Sequence, residues 1–509
     1  MSYYLAFDAG TGSGRAVIFD ADGREIAAVG QEWWHASDPR YPGSMDFDCD
    51  ANWGHLARCA REAIAKAGID PAEIAGVSAT SMREAFVLHD KTGAELWACA
   101  NVDARADAEV RDLRAADPAL EHALYTASGQ THALAALPRL LWLKRHMPEV
   151  LDRAAHLTML SEWVLWRLSG ALVAEPSNMG TTGLIALTDH KPVAAAFAQI
   201  GLPESLIPPM VASGTVVGAV SAEAAAATGL RPGTPVVAGG GDCQIGTIGL
   251  GIVAEGDCAV LGGTFWQQVV NVRADLTDPG MTLRLNPHVL PGLAQAEAIS
   301  FFTGAVMRWF RDSFGQGQSY TALEEASRHI PPGAHGIIPI FSDVMRYGRW
   351  IHAAPSLLNL SLDPEKSGPA AIFRALQENA AVVAAANLRQ VFALSGHTPD
   401  RIVFAGGAAR STHWTQILAD VTGLPVVRSK ISEATALGAA AAAATGTGAF
   451  ASLAEAGRAW SDLEAPQDPN PGLRALYDEQ SARWSAAYAA QMTLVEAGVT
   501  ASMWRAPGS

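Results

Sequence analysis

Asp8-Ala9-Gly10-Thr11-Gly12-Ser13-Gly14-Arg15 separates two short apolar runs, Tyr3-Tyr4-Leu5-Ala6-Phe7 before it and Ala16-Val17-Ile18-Phe19 after it. Runs of this length and composition read as strands, and the glycines between them as a hairpin turn. The glycine spacing invites comparison with the dinucleotide fingerprint, but that motif needs a helix after the turn, and here a strand follows. There is no G-x-x-x-x-G-K-[ST] segment, so the chain is not a P-loop protein. Two readings stay open for the turn alone. It is an ordinary glycine-rich hairpin, or its amides and the hydroxyls of Thr11 and Ser13 face phosphate oxygens, with Asp8 near a hydrated Mg²⁺.

The pattern recurs downstream. Pro235-Val236-Val237-Ala238 reads as a strand running into Gly239-Gly240-Gly241-Asp242, and Cys258-Ala259-Val260-Leu261 as another that turns at Gly262-Gly263-Thr264. A third, Arg401-Ile402-Val403-Phe404, runs into Ala405-Gly406-Gly407 and a helical stretch from Trp414 to Val421. Strands and helices alternate between these points, which argues for α/β architecture. Two related halves facing a cleft account for the spacing: 1–245 and 246–450, with 451–509 an appended helical tail packed on them. Each motif has a plain structural reading too. Asp242 reads equally as a helix cap or as a general base at the mouth of a cleft. The turn at Gly406 reads as tight strand–helix contact or as room for a base or phosphate.

Composition bounds the function. The chain has 509 residues, 36 Lys+Arg against 51 Asp+Glu and a net charge of −15, which disfavours nucleic acid or an anionic membrane as the main partner. Nucleotides stay open, because amides and a metal carry phosphates locally. With 49% hydrophobic and 17% charged residues the composition is globular. The five cysteines (Cys49, Cys59, Cys99, Cys243, Cys258) show no C-x-x-C spacing, so neither a disulfide framework nor a zinc site is expected. No signal peptide is visible, and a reducing cytoplasm is the expected home. Leu437 to Ala444 is too short to span a bilayer and reads as a buried helix.

The order and spacing of these motifs resemble the FGGY carbohydrate kinases, of the actin, hexokinase and heat-shock chaperone superfamily. The resemblance runs through the Asp8–Arg15 hairpin, the Gly-Gly-Gly-Asp242 segment, the Gly262-Gly263-Thr264 turn, the segment from Gly406 to Val421, and Glu433-Ala434-Thr435-Ala436-Leu437-Gly438. It implies two actin-like (ribonuclease H-like) domains facing a central catalytic cleft, with ATP and Mg²⁺ as the expected cofactors. Carried over residue by residue, it puts Thr11, Gly12, Ser13, Arg15, Gly263 and Thr264 on the phosphates. Gly406, Gly407, Ala408 and Ser411 fall to the adenosine. Asp242 becomes the general base, and Asp8 and Asp242 hold the metal through water. The acceptor falls to Arg83, Glu84, Asp103, Gln244 and Trp266 beside Asp242. Trp266 reads equally as core, and Arg83-Glu84 as a surface ion pair.

Further segments resemble one branch of the family: Ser81-Met82-Arg83-Glu84, 97–105, 263–271, 286–289, 299–304 and 339–343. That branch implies 4,5-dihydroxy-2,3-pentanedione as acceptor, phosphorylated on its primary hydroxyl. Xylulose, ribulose, erythritol and glycerol are the alternatives within the family. Family habit further implies a homodimer and allows regulation by a phosphocarrier protein of sugar uptake. There are departures: Arg139 stands where Lys is usual before Leu-x-Trp, Gln377 follows Arg374-Ala375-Leu376 where Glu is usual, and Ala408 replaces a glycine. A rival of another class is an actin-like ATPase that modifies no small molecule. Against it stand Arg83-Glu84 and Asp103-x-Arg105, which simple ATP hydrolysis does not need.

Overall fold

The glycine turn joins two strands, as its flanks require. β1 (Tyr3–Ala9) and β2 (Ser13–Phe19) pair antiparallel with Asp8 opposite Arg15, and β3 (Glu25–Glu32) continues the meander. β4 (Ile74–Ser81) lies parallel to β1. β5 (Val216–Ala219) edges the sheet beside β6 (Pro235–Gly241), which lies parallel to β4, so the order is β3-β2-β1-β4-β6-β5. This computed structural model describes residues 2–509.

The second half repeats the plan. Its strands are β7 (Cys258–Gly262), β8 (Trp266–Arg273), β9 (Arg284–Pro287), β10 (Leu293–Ser300), β11 (Ile402–Ala405) and β12 (Val426–Arg428). The order is β9-β10-β8-β7-β11-β12, with β7, β8 and β10 antiparallel and β11 and β12 parallel to β7. Each half is therefore a three-strand meander extended by two parallel strands, with one more antiparallel strand at an edge, β5 in the first and β9 in the second. The halves differ in that a three-stranded sheet (86–89, 95–99, 156–159) is inserted in the first.

α1 (Cys49–Ala67) covers the first sheet. Asp48 caps it by accepting from the Ala51 amide, Gly68 ends it in a left-handed conformation, and Leu56, Ala60, Ala63 and Ile64 face inward. The helices around the cleft are α2 (Asp242–Gly249), α3 (Pro369–Ser395), α4 (Thr412–Thr422) and α5 (Ala434–Gly446). α5 contains the Leu437–Ala444 run and is buried on all sides, as that run requires. Sequence order groups it with the second half, yet it packs on β1, β4 and β6 of the first and against α2. Small residues permit this approach: a Cβ on Gly438 would stand 1.9 Å from the Ile245 carbonyl oxygen.

The last long helix, α6 (Arg474–Glu496), buries Tyr477 and Trp484 in the second half. Tyr477 donates to the Glu378 carboxylate (3.0 Å) and Trp484 Nε1 to the Pro339 carbonyl (3.0 Å). The chain then returns to the first half, where the Gly508 amide donates to Asp107 (2.6 Å). Among the described residues no helix is long and apolar enough to cross a membrane.

Candidate active site

Parallel pairing brings the first half's motifs to one edge. Asp8 stands opposite Thr80, and Thr80 opposite Gly240, so Asp8 and the end of β6 lie two strands apart, about 10 Å by ordinary sheet spacing. β6 ends at Gly241 and Asp242 opens α2. Its carboxylate accepts from the Cys243 amide (2.7 Å), while the side chain stays 38% exposed to the cleft. The second half faces it. A cavity of about 250 Å³ is lined by Asp242 on one side and by Gly262, Gly263, Gln267 and Gly406 on the other. A larger one, about 740 Å³, shares Gly262 and Gly263 and extends past Thr264 to Gly407, Ala408, Ser411 and Trp414. That volume lies in the range of sites for small organic ligands.

Thr11 and Gly12 are exposed at the tip of the β1–β2 turn, which is closed by the Gly10 amide on the Ser13 carbonyl (3.0 Å). Trp33 Nε1 braces the turn from behind at the Gly10 carbonyl (3.0 Å), and Asn101 Nδ2 donates to the Thr11 hydroxyl (2.9 Å). Arg15 projects toward the second half and pairs with Glu433 (2.9 Å), the residue before α5. Negative charge is in excess here. Burial pushes the Asp8 carboxyl up to about 7, helped by Asp242 and Glu433 and opposed by Arg15. Burial likewise raises Asp242 to about 6, against the pull of Arg83.

Beyond Asp242 lies a buried polar group in which Arg83, Glu84 and Gln244, expected from the sequence, stand with two residues that were not, Glu297 and Arg284. Arg83 makes a fork with Glu297 (Nη1–Oε2 2.5 Å, Nη2–Oε1 2.8 Å), and its Nε stands 3.3 Å from Asp242 Oδ1. Glu84, held at φ +63°, pairs instead with Arg284. The two neighbours thus do not pair with each other on the surface; each meets a partner from the second half. Gln244 is fully buried, and among the described residues neither its Oε1 nor its Nε2 has a hydrogen-bond partner. An amide so placed is costly unless something completes its hydrogen bonds.

Models of the N-terminal and C-terminal domains of the FGGY family of carbohydrate kinases match residues 3–249 and 267–447. The chain is an FGGY carbohydrate kinase. Among its relatives, the autoinducer-2 kinases of Enterobacter sp. (strain 638) and Escherichia coli (strain K12 / DH10B) are each 51% identical to it. The alignments cover 100% and 99% of this chain and 98% of each relative. The xylulose kinase of Rhodospirillum rubrum superposes with a TM-score of 0.86 at 26% identity, covering 97% of this chain and 100% of that one. Plasmodium falciparum glycerol kinase with ADP gives 0.84 at 18%, covering 96% and 98%, a likeness of fold alone. As a member of the family this chain is an ATP-dependent phosphotransferase with a small, sugar-like acceptor.

Two of the acceptor residues expected from the sequence have their side chains taken up within this FGGY kinase itself. Asp103 has a fully buried carboxylate already taken by the Met45 amide (2.7 Å) and Arg105 Nε (2.7 Å). It braces Arg105, whose guanidinium lies 5.1 Å and 5.0 Å from the ring centres of Trp97 and Trp142. Trp266 is core: fully buried, with ring centres 5.2 Å from Phe404 and 4.9 Å from Trp414. Side chains alternate along β8, so Gln267 takes the cleft and Trp266 the interior. The departures have visible jobs. Arg139 donates to the Glu84 carbonyl (2.6 Å) and so holds that positive-φ residue. Ala408 lines the larger cavity, Gln377 accepts from Ser327 (3.1 Å), and Ser411 caps α4 through the Trp414 amide (2.9 Å).

Proposed function

We propose that this kinase phosphorylates the primary C5 hydroxyl of autoinducer-2, as open-chain 4,5-dihydroxy-2,3-pentanedione, after its uptake. Asp242 is the general base. The observation that carries the chemistry is its carboxylate, part-exposed in the cavity it shares with Gly262 and Gly263 and 3.3 Å from Arg83. The acceptor is supported by full-length identity of about half to proteins named for that substrate.

In this reading adenosine lies in the larger cavity against Gly406, Gly407, Ala408 and Ser411. The phosphates reach back along Gly263 and Thr264 toward Thr11, Gly12, Ser13 and Arg15. Asp8 and Asp242 would hold a Mg²⁺ bound with the nucleotide, where it would offset the phosphate charge. Asp8 and Asp242 face one cleft with too little positive charge, and Mg²⁺ needs only one or two carboxylates beside water and phosphate. Arg83, Glu84 and Gln244 hold the acceptor, and Asp242 takes the proton of its primary hydroxyl. The freed oxygen bonds to the γ-phosphorus in line as the bond to the β–γ bridging oxygen breaks, leaving ADP and a phosphate monoester.

A second reading keeps this chemistry and changes the acceptor to xylulose, ribulose, erythritol or glycerol; the likeness to a xylulose kinase favours the first of these. The proposal further comprises domains at 1–245 and 246–450 with the tail 451–509, a homodimer, and a phosphocarrier protein as regulator. A cytoplasmic setting is supported by five cysteines that are all free thiols. Phosphorus NMR of the product with the pentanedione and MgATP tests the reading. A monoester signal split into a triplet by one CH₂ is expected, and release of inorganic phosphate alone would overturn it.

A further inference from the structure

Arg284 on β9 and Glu297 on β10 are directly opposed across their strands, both buried, one positive and one negative. On the other side of the cleft Arg83 and Glu84 are adjacent, buried, and of the same two charges. The pairs meet crosswise, Arg83 on Glu297 and Glu84 on Arg284. Both members from the second half are fixed independently. Asn286 Nδ2 donates to Glu297 Oε2 (3.3 Å), and Arg284 Nε donates to Gln130 Oε1 (3.1 Å), which also accepts from Tyr347 (3.1 Å). A guanidinium has a rigid planar fork. With both terminal nitrogens of Arg83 on Glu297, only Nε faces Asp242.

We propose that Glu297 and Arg284 are positioning residues for the acceptor site. They hold Arg83 and Glu84 from across the cleft, so that Arg83 touches the base through one nitrogen and does not fork onto it. Without Glu297, the guanidinium is free to turn and take both oxygens of Asp242, which would occupy the lone pairs needed for the acceptor proton. Without Arg284, Glu84 loses the cation that fixes its carboxylate toward the acceptor. The nucleotide contacts lie on other elements, so the consequence falls on one substrate only. The proposal rests on the reading of Asp242 as base and of Arg83 and Glu84 as acceptor ligands.

Steady-state kinetics of Glu297→Gln and Arg284→Lys, with KM for ATP and for the acceptor measured separately, test it. Small displacements of catalytic groups cost up to about 10²-fold. Glu297→Gln is therefore expected to lower kcat by about 10–10²-fold and raise the acceptor KM, with the KM for ATP within about twofold of wild type. Arg284→Lys keeps the charge and most of the volume, and carries the test if Glu297→Gln does not fold. It is expected to raise the acceptor KM several-fold, again with the ATP value unmoved. Wild-type kinetics in folded variants would overturn the proposal, and so would equal rises in both KM values, which mark a general disturbance of the cleft. The assay uses whichever acceptor the wild-type enzyme turns over. If that is xylulose rather than the pentanedione, the reading of the acceptor fails while the variants still decide the clamp.

Discussion

Asp242 is the residue on which most of the chemistry converges, and its surroundings explain why. A carboxyl raised to about 6 by burial is a better proton acceptor than one in water, yet remains ionised at neutral pH. Removing a positioned general base costs about 10²–10⁴-fold in rate. Asp242→Asn should show a kcat deficit of that order with the KM for ATP preserved, measured by ADP release; full activity would place the base elsewhere. The positions of Asp8, Asp242 and Thr264 at strand ends were legible in the sequence because each stands beside a glycine turn, a strictly local pattern. Glu297 and Arg284 were not. Glu297 lies inside 293–300 and Arg284 opens 284–287, neither within a quoted motif, and only the pairing of β9 with β10 sets them opposite Arg83 and Glu84.

At the scale of elements, the end of β6 is held from behind by a buried carboxyl. Glu175 accepts from the Ser177 hydroxyl (2.5 Å), and that hydroxyl accepts from the Gly241 amide (3.0 Å). Burial raises the Glu175 carboxyl to about 8, so it is protonated at neutral pH in the folded protein and ionised in the unfolded one. The folded state then binds the extra proton. Its contribution is complete below the unfolded value of about 4.3 and is lost as pH rises through about 8. In Glu175→Gln this loss is absent, so the melting temperature of the variant relative to wild type should climb between pH 5 and 8; a constant or falling difference would contradict the assignment. The helix pair α2–α5 makes a second, steric case. Gly438→Ala puts a methyl 1.9 Å from a carbonyl oxygen, so it should cost at least the roughly 1–3 kcal/mol of an overpacked core, read as a lowered unfolding midpoint. A wild-type midpoint would mean the two helices separate easily. The alanine run announced that α5 is buried, but not that it lies on the first sheet. Likewise the sequence left Trp266 open between cleft and core, since Trp266 and Gln267 exchange faces with a one-residue slip.

For the whole molecule, Asp242 from one half and glycine turns from the other line a single cavity. Two crossed ion pairs and the Arg15–Glu433 pair join the halves around it. Transfer to an alcohol rather than to water requires that the cleft exclude water when both substrates are bound. ATP hydrolysis without acceptor should therefore run far below kinase turnover, and hydrolysis near that rate would show that the cleft does not gate. The presence of two related α/β halves was legible from the recurring strand–glycine motifs, while the order of strands within each sheet was not. The inserted sheet and the return of the tail to Asp107 were not, because they depend on long-range contacts that leave no periodic mark.

The central claim is a kinase whose buried polar site selects a dicarbonyl acceptor. It is tested most directly by kcat/KM from ADP release with MgATP and dihydroxypentanedione, xylulose, ribulose, erythritol and glycerol. The account predicts a clear preference for the pentanedione, lost in Asp242→Asn. Turnover with xylulose, ribulose or a polyol and none with the pentanedione would contradict it.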